Sequence, residues 1–570
     1  MIGPVAGDLR PRARDWIAQD PDPQTRAELE SLLAAPASDE GAAADLANRF
    51  AGRLEFGTAG LRGALGAGPN RMNRVVVAQA AAGLAAHLLV RATTGSRPRV
   101  VVGFDARHNS DVFARDTAQI IAGAGCVALL LPEPLPTPVL AFAIRRLGCA
   151  AGVMVTASHN PPQDNGYKVY LGDGCQIVPP ADTQIAAAIA DVGPVDRLPR
   201  GAYQPLEDEV RAEYVAAVCE TVPPGPRALT IVHTALHGVG SAVVSEVLAG
   251  AGFTNVHLVA EQQAPDPDFP TVAFPNPEEP GAMDLALALA ARVDADVVVA
   301  NDPDADRCAV AVPAAGRAPG QAQGWRMLSG DEVGVLLADA LLARDRMGTY
   351  ATTIVSASLL AALAPARGAH YAETLTGFKW LTRPGGLDYA YEEALGYCVA
   401  PDLVRDKDGI SALLLLCDVA ARLSADGRSL LDRLDELATE FGLHATAQLS
   451  VRVDDVSLIA GAMARLRSGP PTALGGLAVE RMDDLAAGSV GTTGLPPTDG
   501  LRLHLAGGGR VVVRPSGTEP KLKCYLELVV AVESDGRALS NEVAVGAARV
   551  AAAGRLDAVT ADVSAALGLG

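Results

Sequence analysis

Along the first two thirds of the chain, short continuous apolar runs alternate with longer amphipathic stretches. The run Val100-Val101-Val102 ends at Gly103-Phe104-Asp105, with helical spacing before it over 75–91 and after it over 113–124. A strand over 127–131, a helix over 138–147 and a strand over 152–156 are predicted next. Strands alternating with helices of this length predict a largely parallel sheet covered by helices on its faces.

Pro223-Pro224-Gly225-Pro226 reads as a linker, after which strands are predicted over 229–232, 256–259 and 296–299. The Pro-rich stretch 263–280 predicts a long loop of the kind that often carries function. A third block opens with a helix over 331–344 and ends with helices over 410–424 and 430–441. The last block changes style. Strands over 446–453, 501–505, 511–513 and 522–530, followed by a terminal helix, predict a smaller α+β domain. No fixed period recurs, so a solenoid is not expected. The expected organisation is three α/β domains over 1–222, 223–328 and 329–442 and an α+β domain over 443–570.

Composition narrows the function classes. The 570 residues are 49% hydrophobic and 20% charged, as in an ordinary globular protein. The formal net charge of −19 argues against nucleic acid or an anionic membrane as the main partner, and requires any anionic substrate to find a local cluster of cations. No run of about 18 residues is apolar and free of charge, and the start, Met1 to Asp8, lacks a basic region followed by an apolar core. Neither a membrane span nor a signal peptide is expected. The eight cysteines are scattered with no CxxC pair, which fits a reducing, cytoplasmic setting. Lysine occurs only at 168, 379, 407, 521 and 523, each inside or beside a Gly-, Asp- or Ser-rich motif, while the other 42 of the 47 basic residues are arginine.

Three segments carry the candidate chemistry. Thr156-Ala157-Ser158-His159-Asn160-Pro161 runs on to Asn165-Gly166-Tyr167-Lys168 directly after a predicted buried strand, the place where α/β sheets bind ligands. A serine there needs a nearby amine or histidine to take its proton, and turns at Asn160-Pro161 and Asn165-Gly166 are expected to bring Lys168 back toward Ser158. Asn301-Asp302-Pro303-Asp304-Ala305-Asp306-Arg307 also follows a predicted strand. Its three carboxylates at alternate positions can converge on a hard cation such as Mg²⁺, with Arg307 beside it for a phosphate; the plainer alternative is a solvated acidic turn. The Gly and distal Glu of an EF-hand are absent. Arg514-Pro515-Ser516-Gly517-Thr518-Glu519-Pro520-Lys521, between two predicted strands, offers an arginine, two hydroxyls, a glycine amide and a lysine to a phosphate, or is an ordinary hairpin loop.

Weaker signals are 56–63, a glycine-rich loop with Arg62 as its one cation or else a plain loop between helices, Gly377-Phe378-Lys379-Trp380, and Glu392-Glu393-Ala394. The last two supply a cation and carboxylates suited to sugar hydroxyls. All these segments make sense together only at a cleft between domains.

As a set, and in this order from about Leu54 to Tyr525, the motifs resemble those of the α-D-phosphohexomutase superfamily of phosphoglucomutases and phosphomannomutases. The resemblance implies a phosphosugar mutase with a phosphoserine at Ser158 and Mg²⁺ held by Asp302, Asp304, Asp306 and a phosphoserine oxygen. Lys168 and Arg62 would assist proton transfer, with His159 adjacent. Arg307, Lys379, Glu392, Glu393, Arg514, Ser516, Gly517, Thr518 and Lys521 would bind substrate. It also implies a sugar bisphosphate as activator and a monomer or homodimer. Phe56-Gly57-Thr58-Ala59-Gly60-Leu61-Arg62-Gly63 and Asp406-Lys407-Asp408-Gly409 point to a branch of long phosphoglucomutases and pentose-phosphate relatives. Many hexomutases have a serine after the sugar-loop carboxylates; here Ala394 stands there, which leaves the sugar open and favours Glu392 over Glu393 as the hydroxyl ligand. Glucose 1-phosphate and glucose 6-phosphate are the expected pair, with mannose and pentose phosphates as alternatives. A haloacid-dehalogenase-like phosphatase would use Asp302 as nucleophile, but it leaves the Ser158 and Arg514 loops without a role. A non-catalytic sugar-phosphate sensor would not need Ser158, Lys168 and the three aspartates intact.

Overall fold

The computed structural model of the chain describes residues 9–36, 38–58, 60–93, 95–314, 324–453, 455, 457–487, 494–516, 521–532 and 541–568. Two compact units form, Met1–Leu328 with Gly396–Ala421 and Ser329–Leu395 with Arg422–Gly570.

The first unit holds two sheets built on one plan. In one, Arg99–Phe104 lies parallel to both Val127–Leu130 and Ala151–Val155. Every residue of Ala151–Val155 is buried, so its sequence is an unbroken apolar run. The chain then reverses, and Asp164–Leu171 returns antiparallel with Lys168 opposite Met154. In the other sheet, Ile231–Thr234 lies parallel to Val256–Leu258 and Val297–Ala300, and Ala309–Pro313 returns antiparallel beside the last of these. The expected parallel order therefore holds at the centre of each sheet and gives way to an antiparallel return strand. In both sheets the loop between the last parallel strand and its return strand carries a candidate motif.

Two local expectations fail. Asn165-Gly166 is no turn, because both residues lie inside the strand Asp164–Leu171. The Asn165 side-chain amide donates to His108 O at 2.9 Å and Ser110 Oγ at 3.0 Å, so tertiary bonds and strand pairing override its turn preference. The reversal is made over 158–163 instead. Nor is 56–63 a plain interhelical loop. Leu61–Ala64 pairs antiparallel with Asp164–Leu171 at the sheet edge and puts Arg62 opposite Gly166. Gly60 enters this strand at φ 75°, where a Cβ would stand 1.9 Å from Tyr167 O, so only glycine fits.

The helix Arg74–Arg91 is long and apolar enough to cross a bilayer, and 67% of that window is buried as a core helix of this unit. The segment Gly396–Ala421, expected in the third block, joins this unit through buried polar bonds. Asp406 Oδ2 accepts from the Tyr170 hydroxyl at 2.8 Å, and Asp408 Oδ1 accepts from the Tyr214 hydroxyl at 2.8 Å.

In the second unit, Thr349–Thr353 runs parallel to both His370–Thr374 and Leu387–Glu392. The helix Gly330–Leu342 opens on a capping box of Ser329 and Glu332. A six-stranded antiparallel sheet follows, in the order Leu443–Arg452, Lys521–Val530, Arg510–Pro515, Leu501–Leu505, Leu477–Asp484, Ala473–Leu474. The strands Ala473–Leu474 and Leu477–Asp484 were not predicted; the longer one alternates half-buried and exposed positions and has no apolar run.

Asp331, in the first turn of Gly330–Leu342, is buried. Burial pushes its carboxyl up to about 7 against the hydrogen bond it accepts from Ala357 N at 2.7 Å, with Glu393 and Glu527 adding to the rise. The folded chain therefore keeps a proton that the unfolded chain releases, and stability falls as pH rises from about 4 to about 7. Asp331→Asn keeps an acceptor for Ala357 N and removes this cost. It is expected to raise Tm strongly at about pH 8, by up to about 4 kcal/mol in stability, and little at about pH 4. Thermal melts at the two pH values check this, and equal shifts at both would contradict it.

Candidate active site

Ser158 sits just past the end of Ala151–Val155, buried, at φ 53°. A left-handed conformation costs a non-glycine residue about 1–2 kcal/mol, so the surroundings must impose it. The turn aims the side chain into the first unit, where Oγ donates to Asp302 Oδ2 at 2.8 Å and lies 3.2 Å from His159 Nδ1. Burial, with Arg307 and Arg62 next, pushes the His159 imidazole well below its usual range, so the ring is neutral. Arg62 donates to Asn160 Oδ1 at 3.1 Å, which places its guanidinium beside the same turn.

The three aspartates are fully buried at the end of Val297–Ala300, and one oxygen from each lies within 4.8 Å of the others. Lys168 Nζ donates to Asp304 Oδ2 at 2.6 Å and Asp306 Oδ2 at 2.8 Å. Lys168 is thus brought to the carboxylates by the antiparallel return of its strand. Burial and the two neighbouring carboxylates push Asp302 well up. Burial also raises Asp304 and Asp306, and Asp306 raises Asp304 further, but Lys168 with Thr137 at Asp304, and Lys168 with Lys407 and Arg307 at Asp306, together hold both below the ordinary carboxylate range. Asp304 Oδ1 and Asp306 Oδ1 are buried with no hydrogen-bond partner. Orphaned carboxylate oxygens at this spacing are costly unless a cation takes them, so the donor set, all hard oxygens, suits a divalent metal ion. Arg307 closes the loop by donating its backbone N–H to Asp302 Oδ1 at 3.0 Å, and its guanidinium faces Glu278 Oε2 at 3.7 Å.

Two residues of this centre had no role assigned from sequence. Thr137 Oγ1 donates to Asp304 Oδ2 at 2.6 Å and its N–H to Asp304 O at 2.9 Å. Lys407 Nζ lies 3.2 Å from Asp306 Oδ2. The rarity of lysine was a signal for Lys407; a threonine opening the helix Thr137–Arg146 gives none.

The other sugar- and phosphate-binding candidates lie in the second unit. Glu393 Oε2 accepts from Ser356 Oγ at 3.0 Å and Thr353 Oγ1 at 3.3 Å. Tyr525, on Lys521–Val530, ties this corner together. Burial, then Glu393 and Glu392, push its hydroxyl up, while a hydrogen bond with Arg514 acts in the opposite direction. Arg514 and the two glutamates therefore act on one tyrosine to which the sequence assigns no role. Lys379 lies in the short helix Phe378–Leu381 after Gly377. Ser516 N donates to Lys521 O at 2.8 Å and closes the neck of the Arg514 loop; Gly517 and Thr518 lie outside the described residues.

A buried serine facing three carboxylates and two lysines, on paired α/β sheets, defines an enzyme of phosphoryl transfer. Family models agree on which one. The phosphoglucomutase/phosphomannomutase α/β/α domains I, II and III match residues 53–194, 212–316 and 329–441, and the C-terminal domain matches 463–546. The chain belongs to this family, within the α-D-phosphohexomutase superfamily, and is an isomerase that moves phosphate within sugar phosphates. It is 48% identical over 465 residues to the "Probable phosphomannomutase" of Haemophilus influenzae, covering 80% of this chain and 93% of that one. It is 36% identical over 562 residues to the "Probable phosphoribomutase" of Schizosaccharomyces pombe, covering 90% and 92%. A crystal structure of a phosphoglucomutase/phosphomannomutase family protein from Burkholderia thailandensis shares the fold, with a TM-score of 0.66 at 21% identity over 88% of this chain and 98% of that one.

Proposed function

We propose that the protein interconverts glucose 1-phosphate and glucose 6-phosphate through a phosphoserine at Ser158 and a bisphosphorylated sugar intermediate. The observation that supports this most is Ser158 Oγ held 2.8 Å from Asp302 beside two unpartnered carboxylate oxygens. In the first half-reaction the P–O bond to Ser158 Oγ breaks, a P–O bond to the free sugar hydroxyl forms, and the hydroxyl proton ends on the freed Ser158 oxygen. His159, Lys168 and Arg62 serve these proton movements. After the intermediate turns over, its other phosphate returns to Ser158, so the sum is an isomerisation. Asp302, Asp304, Asp306 and a phosphoserine oxygen would hold Mg²⁺, which would supply charge neutralisation for the transferring group. Arg307, with Arg514, Ser516, Gly517, Thr518 and Lys521, holds phosphate, and Lys379, Glu392 and Glu393 hold the sugar. A sugar bisphosphate primes the enzyme. None of the eight cysteines, all among the described residues, is in a disulfide, which supports a reducing cytoplasmic setting; monomer or homodimer is the proposed state.

Paired carboxylates suit the vicinal equatorial hydroxyls of glucose. A second reading, pentose phosphate, is favoured by Ala394, which offers no hydroxyl beside Glu393, and a mannose phosphate reading by the name of the Haemophilus relative. Initial rates with glucose, mannose and ribose 1-phosphates decide among them, and a rate on glucose below both others would refute glucose. With the same panel, Glu392→Gln is expected to change the ranking of sugars. Arg514→Ala is expected to raise KM for all of them alike, by roughly 30-fold or more, because a planar fork on phosphate is lost. An Arg514→Ala enzyme that changes sugar preference at unchanged KM would remove the loop from phosphate binding.

A further inference from the structure

Something must hold the left-handed turn at Ser158, and the groups described so far only receive its side chain. Arg107, just beyond the strand Arg99–Phe104, is 4% exposed. Its Nη2 donates to Ser158 O and Asn160 O, each at 2.5 Å. Its Nη1 donates to Pro161 O at 2.8 Å and Asp164 O at 3.2 Å. One guanidinium thus gathers four carbonyls of a single turn, a task that needs a planar fork of donors. Asp105 faces it, with Oδ2 3.4 Å from Arg107 Nε and Oδ1 accepting from Arg107 N at 3.0 Å and Ser110 Oγ at 2.6 Å.

The guanidinium is covered by the ring of Phe269, 4.9 Å from its centroid. Phe269 belongs to the Pro-rich stretch 263–280, the long loop for which the sequence gives no chemistry. It is buried, at φ 45°. The same stretch is pinned by Asp268 to His108 at 2.7 Å and by Asp266 N to His237 O at 3.0 Å. Two residues past His237, Val239 N donates at 2.8 Å to the carbonyl of Pro303, which lies between Asp302 and Asp304. The loop therefore meets Arg107, which is bonded to the serine turn, directly, and meets the aspartate turn through the segment 237–239.

We propose that Arg107 is a positioning residue for phosphoryl transfer, fixing the backbone of Ser158 so that Oγ is aimed at Asp302, and that the stretch 263–280 is the strut that seats it through Phe269. The role rests on the reading of Ser158 as the phosphoryl carrier. Lysine at 107 keeps the charge but lacks the fork, so the turn is free to relax. Misplacing a reacting atom by about 1 Å costs on the order of 100-fold in rate, while sugar and distal phosphate are held by other residues.

The test uses the full-length enzyme with glucose 1-phosphate, primed with glucose 1,6-bisphosphate, and follows kcat, KM, Tm and the phosphate mapped to Ser158. Arg107→Lys is expected to lower kcat about 100-fold with KM within about twofold. Phe269→Leu keeps the volume and loses the aromatic face, and is expected to lower kcat about tenfold in the same pattern. Guanidinium ion, well below denaturing concentrations, is expected to restore part of the kcat of Arg107→Ala, which a merely structural defect would not allow. If Arg107→Lys does not fold, Phe269→Leu decides. Folded variants with kcat within about threefold of the parent, or a loss carried by KM, would overturn the role. If phosphate in the parent enzyme maps away from Ser158, the carrier assignment fails instead; if it maps to Ser158 and the variants turn over normally, only the positioning role fails.

Discussion

Ser158→Ala is expected to abolish mutase turnover while the protein still folds. The substitution removes one oxygen and no apolar contact, and alanine meets the same cost as serine at φ 53°. What is lost on the stability side is the bond from Ser158 Oγ to Asp302 Oδ2, worth on the order of 1–2 kcal/mol. On the rate side the phosphoryl group has no carrier. Binding and electrostatics around an absent nucleophile do not replace it, so kcat falls by at least about 10⁴-fold. Steady-state kinetics alongside circular dichroism and a thermal melt check both halves. Turnover within about tenfold of the parent would remove Ser158 from the chemistry.

Asp304→Asn is the second change expected to act by orders of magnitude. Asp304 accepts from Thr137 Oγ1 and from Lys168 Nζ through the same Oδ2, and its Oδ1 is one of the two orphaned oxygens. An asparagine can still accept from Thr137, so the turn survives. It cannot neutralise Lys168 or offer an anionic oxygen to a divalent cation. We expect kcat to fall at least about 100-fold and the Mg²⁺ concentration for half-maximal activity to rise. Tm falls as well, because a buried ammonium keeps one carboxylate where it had two, a loss typically of about 3 kcal/mol or more when a buried pair is broken. Unchanged activity in excess chelator would show that these aspartates hold no required metal.

The sequence made the loops legible because each follows an apolar run that could only be a buried strand. Val153-Met154-Val155 before Ser158 and Val297-Val298-Val299 before Asp302 marked where the chain leaves the sheet core. Three aspartates at alternate positions, and a serine ahead of Asn-Pro, then stand where α/β sheets bind ligands. What stayed hidden depended on partners distant in sequence. Leu61–Ala64 has too few apolar residues to read as a strand and is one only because Asp164–Leu171 offers it an edge. Asn165-Gly166 carries a strong local turn signal that its buried amide partners override. Arg107 and Tyr525 look ordinary in sequence, and their roles arise from contacts with residues 51 or more positions away in the one case and from two glutamates and an arginine in the other. The fold class and the two loops that carry the clustered aspartates and the serine were therefore readable, and the groups that hold those loops in place were not.

The residue that carries the phosphate is the most direct test of phosphoserine catalysis. After incubation with glucose 1,6-bisphosphate, the protein is expected to gain the mass of one phosphoryl group, located by tryptic mass spectrometry in the peptide from 147 to 168 and, within it, on Ser158. Addition of glucose 1-phosphate or glucose 6-phosphate without the bisphosphate should discharge it. A phosphate found on Asp302, or turnover with no phosphoprotein at any stage, would contradict the central claim.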